Sequence, residues 1–447
     1  MDLTEEHPFA ERQLPFPADH ALVEASRCLY CYDAPCMVAC PTSIDIPGFI
    51  RSIATGDDLG ASDTIFRSNV LGASCGRVCE TEALCEGSCV LGPTGKPIEI
   101  GRLQRHATDA AWSVERPIPY ASGADSGKSV AIIGGGPAGL SAAANLREQG
   151  HAVTIFERMP ELGGLARYGI IPVREPNPVI EWEVAQVLAL GVDVHTNVEV
   201  GRDVPIEEIT GAYDAVLLTV GAGRYVFDID LDGAPAKGVE DALLFIERSR
   251  TMHPGEIPVG RDVVVVGGGN TAMDAATIAV QLNVPRVTTV YRRTADDMTA
   301  YRGEYEFCLH KGVVFEFLTQ PIAVETDADG HVTGLVCVDV IPGAHDESGR
   351  PRPQLGTERR TIPCDHVLLA TGQAREPNLF ELFEVPTLPD GRAEVDELFA
   401  GGPPGLWACG DAVTTGTQLS VVDAVAQGKV AAASIHAALV PTLDRVI

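Results

Sequence analysis

Val130-Ala-Ile-Ile-Gly-Gly-Gly-Pro-Ala-Gly-Leu140 runs from an apolar stretch straight into the pattern G-x-G-x-x-G. Residues 130–133 have the length and apolarity of a parallel strand buried on both faces. The Ala-rich stretch 140–149 reads as a helix, and a second apolar run, 152–156, ends in Glu157. Strand, glycine turn, helix and strand make a βαβ unit suited to a dinucleotide. Gly134 makes the tight turn, Gly136 lets the backbone approach a pyrophosphate, and Gly139 lets the helix lie close to the strand. Pro137 and Ala138 are further candidate cofactor contacts in this loop, and the helix N-terminus faces the phosphates. Glu157 ends the second strand, where an acid accepts a hydrogen bond from a ribose hydroxyl.

Outward from this unit, composition sets limits. The 447 residues fit roughly two to four domains. With 45% hydrophobic and 21% charged residues the chain reads as globular. No apolar run reaches the about 18 residues of a membrane-spanning helix, so no membrane partner is expected. Residues 1–12 are acidic and polar without a signal-peptide core, so a cytoplasmic location is expected. The formal net charge of −29 argues against nucleic acid and against anionic lipid surfaces, both of which need clustered cations.

Of the 12 cysteines, eight fall between Cys28 and Cys89. Cys28, Cys31, Cys36 and Cys40 follow C-x2-C-x4-C-x3-C-P, and Cys75, Cys79, Cys85 and Cys89 follow C-x3-C-x5-C-x3-C. Soft thiolates at this density suit two 4Fe-4S clusters, and the ending C-x3-C-P is typical of two-cluster proteins. Structural zinc would favour paired C-x2-C knuckles, and only Cys28 and Cys31 have that spacing. Residues 1–121 are expected to form a helical domain around the clusters, with amphipathic helices over 44–53 and 61–70 and a closing helix over 104–112. Cys308, Cys337, Cys364 and Cys409 stand alone in apolar segments and read as core residues.

Residues 116–128, with Pro117, Pro119, Gly123 and Gly127, read as a linker. After the βαβ unit comes a second glycine-rich loop, 162–170, in which Gly164, Leu165 and Arg167 are candidate cofactor contacts beside Gly163 and Gly169. A strand is expected over 192–198, and a buried strand over 215–220 ends in a small-residue turn at Gly221. Val263-Val-Val-Val-Gly-Gly-Gly-Asn-Thr-Ala-Met-Asp274 is a second dinucleotide loop, with Gly267, Gly268, Gly269, Asn270 and Thr271 in the turn and Ala272 at the place of the third glycine. Its following strand, 286–290, ends in Tyr291-Arg292-Arg293 rather than in an acid. Two guanidiniums favour the 2′-phosphate of NADPH over the 2′-hydroxyl of NADH; an exposed basic turn is the plainer alternative. Strands are expected over 315–318, 331–340 and 366–369, a hairpin turn over 327–330 and a polar loop over 343–356. Residues 370–373, including Gly372, allow a tight crossing back to the first unit. Near the end, an apolar strand stops at Gly410-Asp411, where Asp411 can accept from a flavin ribityl chain. An Ala-rich helix over 421–438 follows, its N-terminus available to a flavin ring.

The order of these motifs resembles one oxidoreductase family: the glutamate synthase small subunit, the NADPH-binding part of dihydropyrimidine dehydrogenase and related flavoprotein subunits. The resemblance runs from about residue 24 to 438 and is made specific by the cysteine groups. It implies an α/β fold in which an N-terminal helical iron–sulfur domain precedes two Rossmann-like domains, the second inserted in the first. FAD would then occupy residues 122–221 and 372–447, and NAD(P)H residues 222–371. It implies one cluster on Cys28, Cys31, Cys36 and Cys89. The other would sit on Cys40, Cys79 and Cys85, with Cys75 or Gln104 as fourth ligand. Glu24-Ala-Ser-Arg-Cys-Leu-Tyr-Cys31 and Ile100-Gly-Arg-Leu-Gln-Arg105 resemble bacterial two-subunit dihydropyrimidine dehydrogenase most, in which a glutamine completes the cluster. Arg292-Arg293 instead resembles the NADPH-using glutamate synthase subunit. The sequence departs from the family at Glu80, where proline is usual, and at Val173-Arg-Glu-Pro176. The family implies electron input from NAD(P)H through FAD and the clusters to an FMN-containing catalytic partner, either of dihydropyrimidine dehydrogenase or the glutamate synthase large subunit. A stand-alone NADPH:ferredoxin-type oxidoreductase is the alternative.

Overall fold

The computed structural model describes residues 8–225, 236–345, 351–374, 377–413 and 419–440. The chain divides into two compact units. One comprises Glu11–Arg167, Arg174–Gly223 and Arg375–Ile447; the other comprises Met1–Ala10, Tyr168–Val173 and Arg224–Ala374.

The first unit holds a five-stranded parallel sheet in the order Leu406–Ala408, Ala215–Leu218, Ser129–Ile133, Ala152–Phe156, Asp193–His195. Val130 of the central strand pairs with Val153 on one side and Ala215 on the other, so both of its edges are hydrogen-bonded. Val130, Ala131, Ile132 and Ile133 are all buried, so both faces are covered and the strand reads as a continuous apolar run. The last strand is shorter than the stretch 192–198 expected for it. It lies at the sheet edge, and Asn197 takes φ +57°, a left-handed conformation that ends the extended run.

The same unit carries the cysteine-rich helices. Ile46–Ala54 begins where the Asp45 side chain accepts from Gly48 N, and Asp58–Ser68 begins where Asp57 accepts from Gly60 N. These aspartate caps set helix starts that apolar periodicity alone misplaces. The closing helix, Ile100–Ser113, starts earlier than position 104. Phe49, Ile50, Ile53, Ile65 and Leu103 form the core between these helices, and Cys28, Cys36, Cys40, Cys85 and Cys89 lie against it.

In the second unit a parallel sheet runs Val239–Asp241, His366–Leu369, Asp262–Val266, Arg286–Val290, Val314–Glu316. A three-stranded antiparallel sheet, Thr319–Thr326, Val332–His345 and Pro351–Pro363, accompanies it. The hairpin at 327–330 is present, with Asp327 Oδ1 accepting from Asp329 N at 3.0 Å and His331 N at 2.9 Å. The expected polar loop over 343–356 is corrected. Strand pairing continues through Pro342 opposite Pro353 and His345 opposite Pro351, and only 346–350 lie outside the described residues. Ladder hydrogen bonds belong to the backbone, so polar side chains do not stop them, and a register shift between Pro342 and His345 falls where the prolines lie. The isolated cysteines Cys308, Cys337, Cys364 and Cys409 are buried. Among the described residues no helix is long and apolar enough to cross a membrane.

The Val421–Leu439 helix lies along the Pro137–Glu148 helix, with Ser141 Oγ donating to Val425 O at 2.7 Å. Gly428 sits at the closest point, where a Cβ would run into the Ala138 carbonyl and Ser141. In an open helix Gly→Ala gains about 1 kcal/mol. Here Gly428→Ala is expected to lower Tm, because overpacking against backbone costs about 1–3 kcal/mol. A raised or unchanged Tm in thermal denaturation contradicts this packing.

Candidate functional site

Around residues 134–139 the chain approaches itself more closely than side chains permit. Gly134 takes φ +109°. A Cβ there would meet Thr219 O, and one at Gly139 would meet Gly134 O. Thr219 Oγ1 donates to Gly134 O at 2.7 Å and holds the turn against the neighbouring strand. The second glycine loop lies against the first: Gly163 N donates to Gly135 O at 2.8 Å, and a Cβ on Gly164 would stand 2.7 Å from Gly136 Cα. Leu165 and Arg167 fall within a short helix, Leu165–Tyr168, rather than in the loop expected from sequence.

Glu157 is buried, with Oε2 accepting from Gly135 N at 2.7 Å and Oε1 from Met159 N at 2.8 Å. Each carboxylate oxygen has a further lone pair for a hydroxyl donor. Gly136 is the N-cap of the Pro137–Glu148 helix, with proline in its first turn, so the N–H groups there suit an anion. Across the sheet, Gly410 N donates to Gln427 Oε1 at 2.8 Å and half-buried Asp411 follows in a single 3-10 turn. Residues 414–418, between this turn and the last helix, lie outside the described residues. Gly221 takes φ +75° at the end of its strand. These residues fit a dinucleotide: a cradle without Cβ atoms, an open helix N-terminus and an acid at the strand end.

The cysteines gather in overlapping sets. Cys28 lies within electrostatic reach of Cys31 and Cys89, and Cys36 of Cys28 and Cys89. Cys85 faces Cys40 and Cys36. Burial pushes the Cys36 thiol up to about 11 and raises those of Cys28 and Cys85. As plain thiols these groups therefore stay protonated at neutral pH, whereas soft metal ions would bind them as thiolates. Among the described residues no group of three or more His, Cys, Asp or Glu converges on a single ion. A cubane takes its thiolates at separate corners, so half-buried sulfurs spread over an apolar core fit a cluster.

Both candidates for the remaining ligand lie near the Gly72–Val78 helix. Cys75 is buried and faces Cys79, and that neighbouring thiol together with burial holds the Cys75 thiol well above its usual range. Gln104 is buried too, and its Nε2 donates to Gly72 O at 2.8 Å, which leaves Oε1 as its ligand atom. The start of this helix is held from the Asn177–Leu188 helix. Glu183 Oε1 accepts from Ala73 N at 2.7 Å, and the Ser74 hydroxyl is hydrogen-bonded between Glu183 and, at 2.5 Å, Glu175. Burial pushes the Glu183 carboxyl up to about 8. The sequence carries no local sign of this link, since its members lie over a hundred positions apart. Nor does it flag Lys429, whose ammonium donates to Ser68 O at 2.8 Å and Thr42 O at 3.4 Å.

In the second unit, Gly267 takes φ +148° because a Cβ would meet the Ala370 carbonyl. Gly268 lies under the Tyr291 ring, where a Cβ would collide. Gly269 precedes the Asn270–Gln281 helix, which includes Thr271. Asn270 Oδ1 accepts from Tyr301 N at 2.9 Å. Tyr291 donates to Asp297 O at 2.9 Å, which fixes the turn carrying exposed Arg292 and half-buried Arg293 at the strand end. Gly372 takes φ +147° and is exposed.

Residues 5–116 match the family described as dihydropyrimidine dehydrogenase domain II, 4Fe-4S cluster, and residues 128–428 match pyridine nucleotide-disulphide oxidoreductases. The NAD-dependent dihydropyrimidine dehydrogenase subunit PreT of Salmonella typhimurium is 36% identical over 93% of this chain and 94% of its own. The glutamate synthase [NADPH] small chain of Escherichia coli is 34% identical over 96% of this chain and 93% of its own. Among solved structures, Mycobacterium tuberculosis FprA in complex with NADPH superposes with a TM-score of 0.57 at 21% identity, covering 70% of this chain and 84% of its own, a likeness of fold.

The Arg292→Ala, Arg293→Ala double variant is expected to raise KM for NADPH roughly 10–100-fold, since a hydrogen bond to a charged group is worth about 1.5–3 kcal/mol. KM for NADH should stay near its starting value. Steady-state kinetics with both nucleotides decides, and equal losses for the two contradict a 2′-phosphate contact.

Proposed function

The chain belongs to the flavoprotein family of the glutamate synthase small chain and the dihydropyrimidine dehydrogenase subunit PreT, an NAD(P)H-dependent flavin oxidoreductase with a 4Fe-4S domain, and we propose that it is the electron-input subunit of dihydropyrimidine dehydrogenase. The observation that carries the electron-input role is the placement of both cysteine groups in the same compact unit as the first glycine loop. When bound, FAD would supply two-electron acceptance from NAD(P)H and one-electron release towards 4Fe-4S clusters, chemistry that belongs to the cofactors.

The chain's part is to hold and orient. Gly134, Gly136, Pro137, Ala138 and Gly139 would cradle the FAD pyrophosphate, and Glu157 would take a ribose hydroxyl. Gly164, Leu165 and Arg167, with Gly221, Gly410 and Asp411, would line the remainder of that site. Gly267 to Thr271 would receive the nicotinamide dinucleotide, and Arg292 and Arg293 its 2′-phosphate, with Gly372 at the crossing. Cys28, Cys31, Cys36 and Cys89 would hold one cluster. Cys40, Cys79, Cys85 and Gln104 would hold the second. For the fourth ligand we favour Gln104 over Cys75, because its amide is already fixed through Gly72 while the buried Cys75 thiol faces Cys79. The partner would be an FMN-containing subunit with the pyrimidine site. Glu24 to Cys31 and Ile100 to Arg105 support that choice. Arg292 and Arg293 favour a second reading, the NADPH-dependent glutamate synthase small chain.

Cys75→Ala is expected to keep the full wild-type iron and sulfide content, and Gln104→Ala to lose one cluster's share. Loss with Cys75→Ala and retention with Gln104→Ala would reverse the ligand choice.

For the function itself, affinity capture of the full chain from its native host should recover a smaller FMN-binding subunit. The complex should reduce uracil or thymine with NAD(P)H. Recovery of a large subunit that forms glutamate from glutamine and 2-oxoglutarate would overturn the pyrimidine reading. NADPH-dependent reduction of a ferredoxin by the chain alone, with no partner recovered, would overturn both.

A further inference from the structure

Three consecutive residues in the middle of the Val421–Leu439 helix reach three different parts of the first unit. Gln427 Oε1 accepts from Gly410 N at 2.8 Å and so fixes the turn that carries Asp411. Gly428 lies on the Ala138 carbonyl, at the first turn of the helix that follows the glycine loop. Lys429 extends to the cysteine-rich helices, donating to Ser68 O at 2.8 Å and Thr42 O at 3.4 Å. Successive helix positions point about 100° apart, which is why neighbouring residues can serve separate elements.

Lys429 is the unusual member. Two backbone carbonyls orient its ammonium without neutralising it. The side chain is half-buried and lies within electrostatic reach of Cys40. Cys40 Sγ also lies 3.4 Å from Thr42 Oγ1, so the loop that Lys429 grips is the loop that presents Cys40. A Lys stem of this length could have ended in solvent from an Ala-rich helix. It is instead held under the cysteine loop.

We propose that Lys429 is a positioning residue that fixes the last helix of the flavin-type domain to the Cys40 loop and sets a positive charge beside the cluster Cys40 would ligate. The inference rests on the reading of Cys40 as a ligand. One electron arriving at a 4Fe-4S cluster adds one negative charge, and a cation held nearby in a partly desolvated setting favours that reduced form. Lys429 thereby makes the cluster that Cys40 would ligate easier to reduce than it would be without the charge. The Gln427–Gly428–Lys429 step couples the position of that charge to the wall of the dinucleotide site.

The test uses the full-length protein, purified anaerobically with FAD and clusters loaded, as wild type, Lys429→Gln and Lys429→Arg. Iron and FAD content are measured first, then the midpoint potential of each cluster by dye-mediated titration followed by electron paramagnetic resonance. Lys429→Gln is expected to keep FAD and iron and to shift one cluster's midpoint to lower potential, leaving the other in place. Lys429→Arg, which keeps the charge, should stay near wild type. Unshifted midpoints in an iron-replete Lys429→Gln protein overturn the proposal. If Lys429→Gln loses iron, the Arg variant decides: a full iron content with wild-type midpoints supports it, and a shift in its midpoints overturns it. Cys40→Ala separates the two layers of the argument. Retention of both clusters there refutes the ligand reading; loss of one cluster, with unshifted midpoints in Lys429→Gln, refutes only the role of Lys429.

Discussion

Close backbone approach around one helix, Pro137–Glu148, governs the first unit. At its start the Gly134 carbonyl occupies the space a Cβ on Gly139 would need. In the same first turn, the Ala138 carbonyl does the same to Gly428 of the last helix, and Gly164 presses on Gly136 from the second loop. Contacts of this kind leave no slack, because interiors are packed near crystal density and a single methyl must displace backbone. The dinucleotide cradle, the C-terminal helix and the second glycine loop therefore take their positions from the same few missing Cβ atoms.

From that centre the constraint spreads to the cysteines. The last helix carries Lys429 to the Thr42 and Ser68 carbonyls, and the Asn177–Leu188 helix carries Glu183 to the start of the Cys75 helix. Both links are polar contacts, that of Glu183 buried and that of Lys429 half-buried, between the helical part and the Rossmann-like part of one unit. Such contacts add little net stability when satisfied and cost heavily when one partner is removed. Their effect is to specify geometry. Cys36, placed within reach of both Cys89 and Cys85, shows how closely the two cysteine sets interleave.

Much of this was legible in the sequence where the signal is local. Residues 130–133 and 263–266 announce buried strands, and the turns after them need glycine for reasons visible in the pattern alone. Cysteine spacing announced soft-metal chemistry. What spacing could not say is that Cys89 returns to Cys28 and Cys36, a matter of tertiary folding that only family resemblance suggested. Helix starts at Asp45 and Asp57 were missed because apolar periodicity outweighed a capping signal of one residue. The loop expected over 343–356 failed because backbone pairing is indifferent to polar side chains. Glu183, Gln427 and Lys429 were invisible because each looks like an ordinary polar residue on an amphipathic or Ala-rich helix. Only the packing shows which of them faces inward.

The claim on which the account stands is that one compact unit holds FAD together with two closely spaced clusters. Electron paramagnetic resonance of the full chain, loaded with FAD and iron anaerobically and then photoreduced, addresses it directly. The expected spectrum contains two 4Fe-4S signals that interact magnetically. A single isolated 4Fe-4S signal, or zinc in place of iron with FAD bound normally, would contradict it.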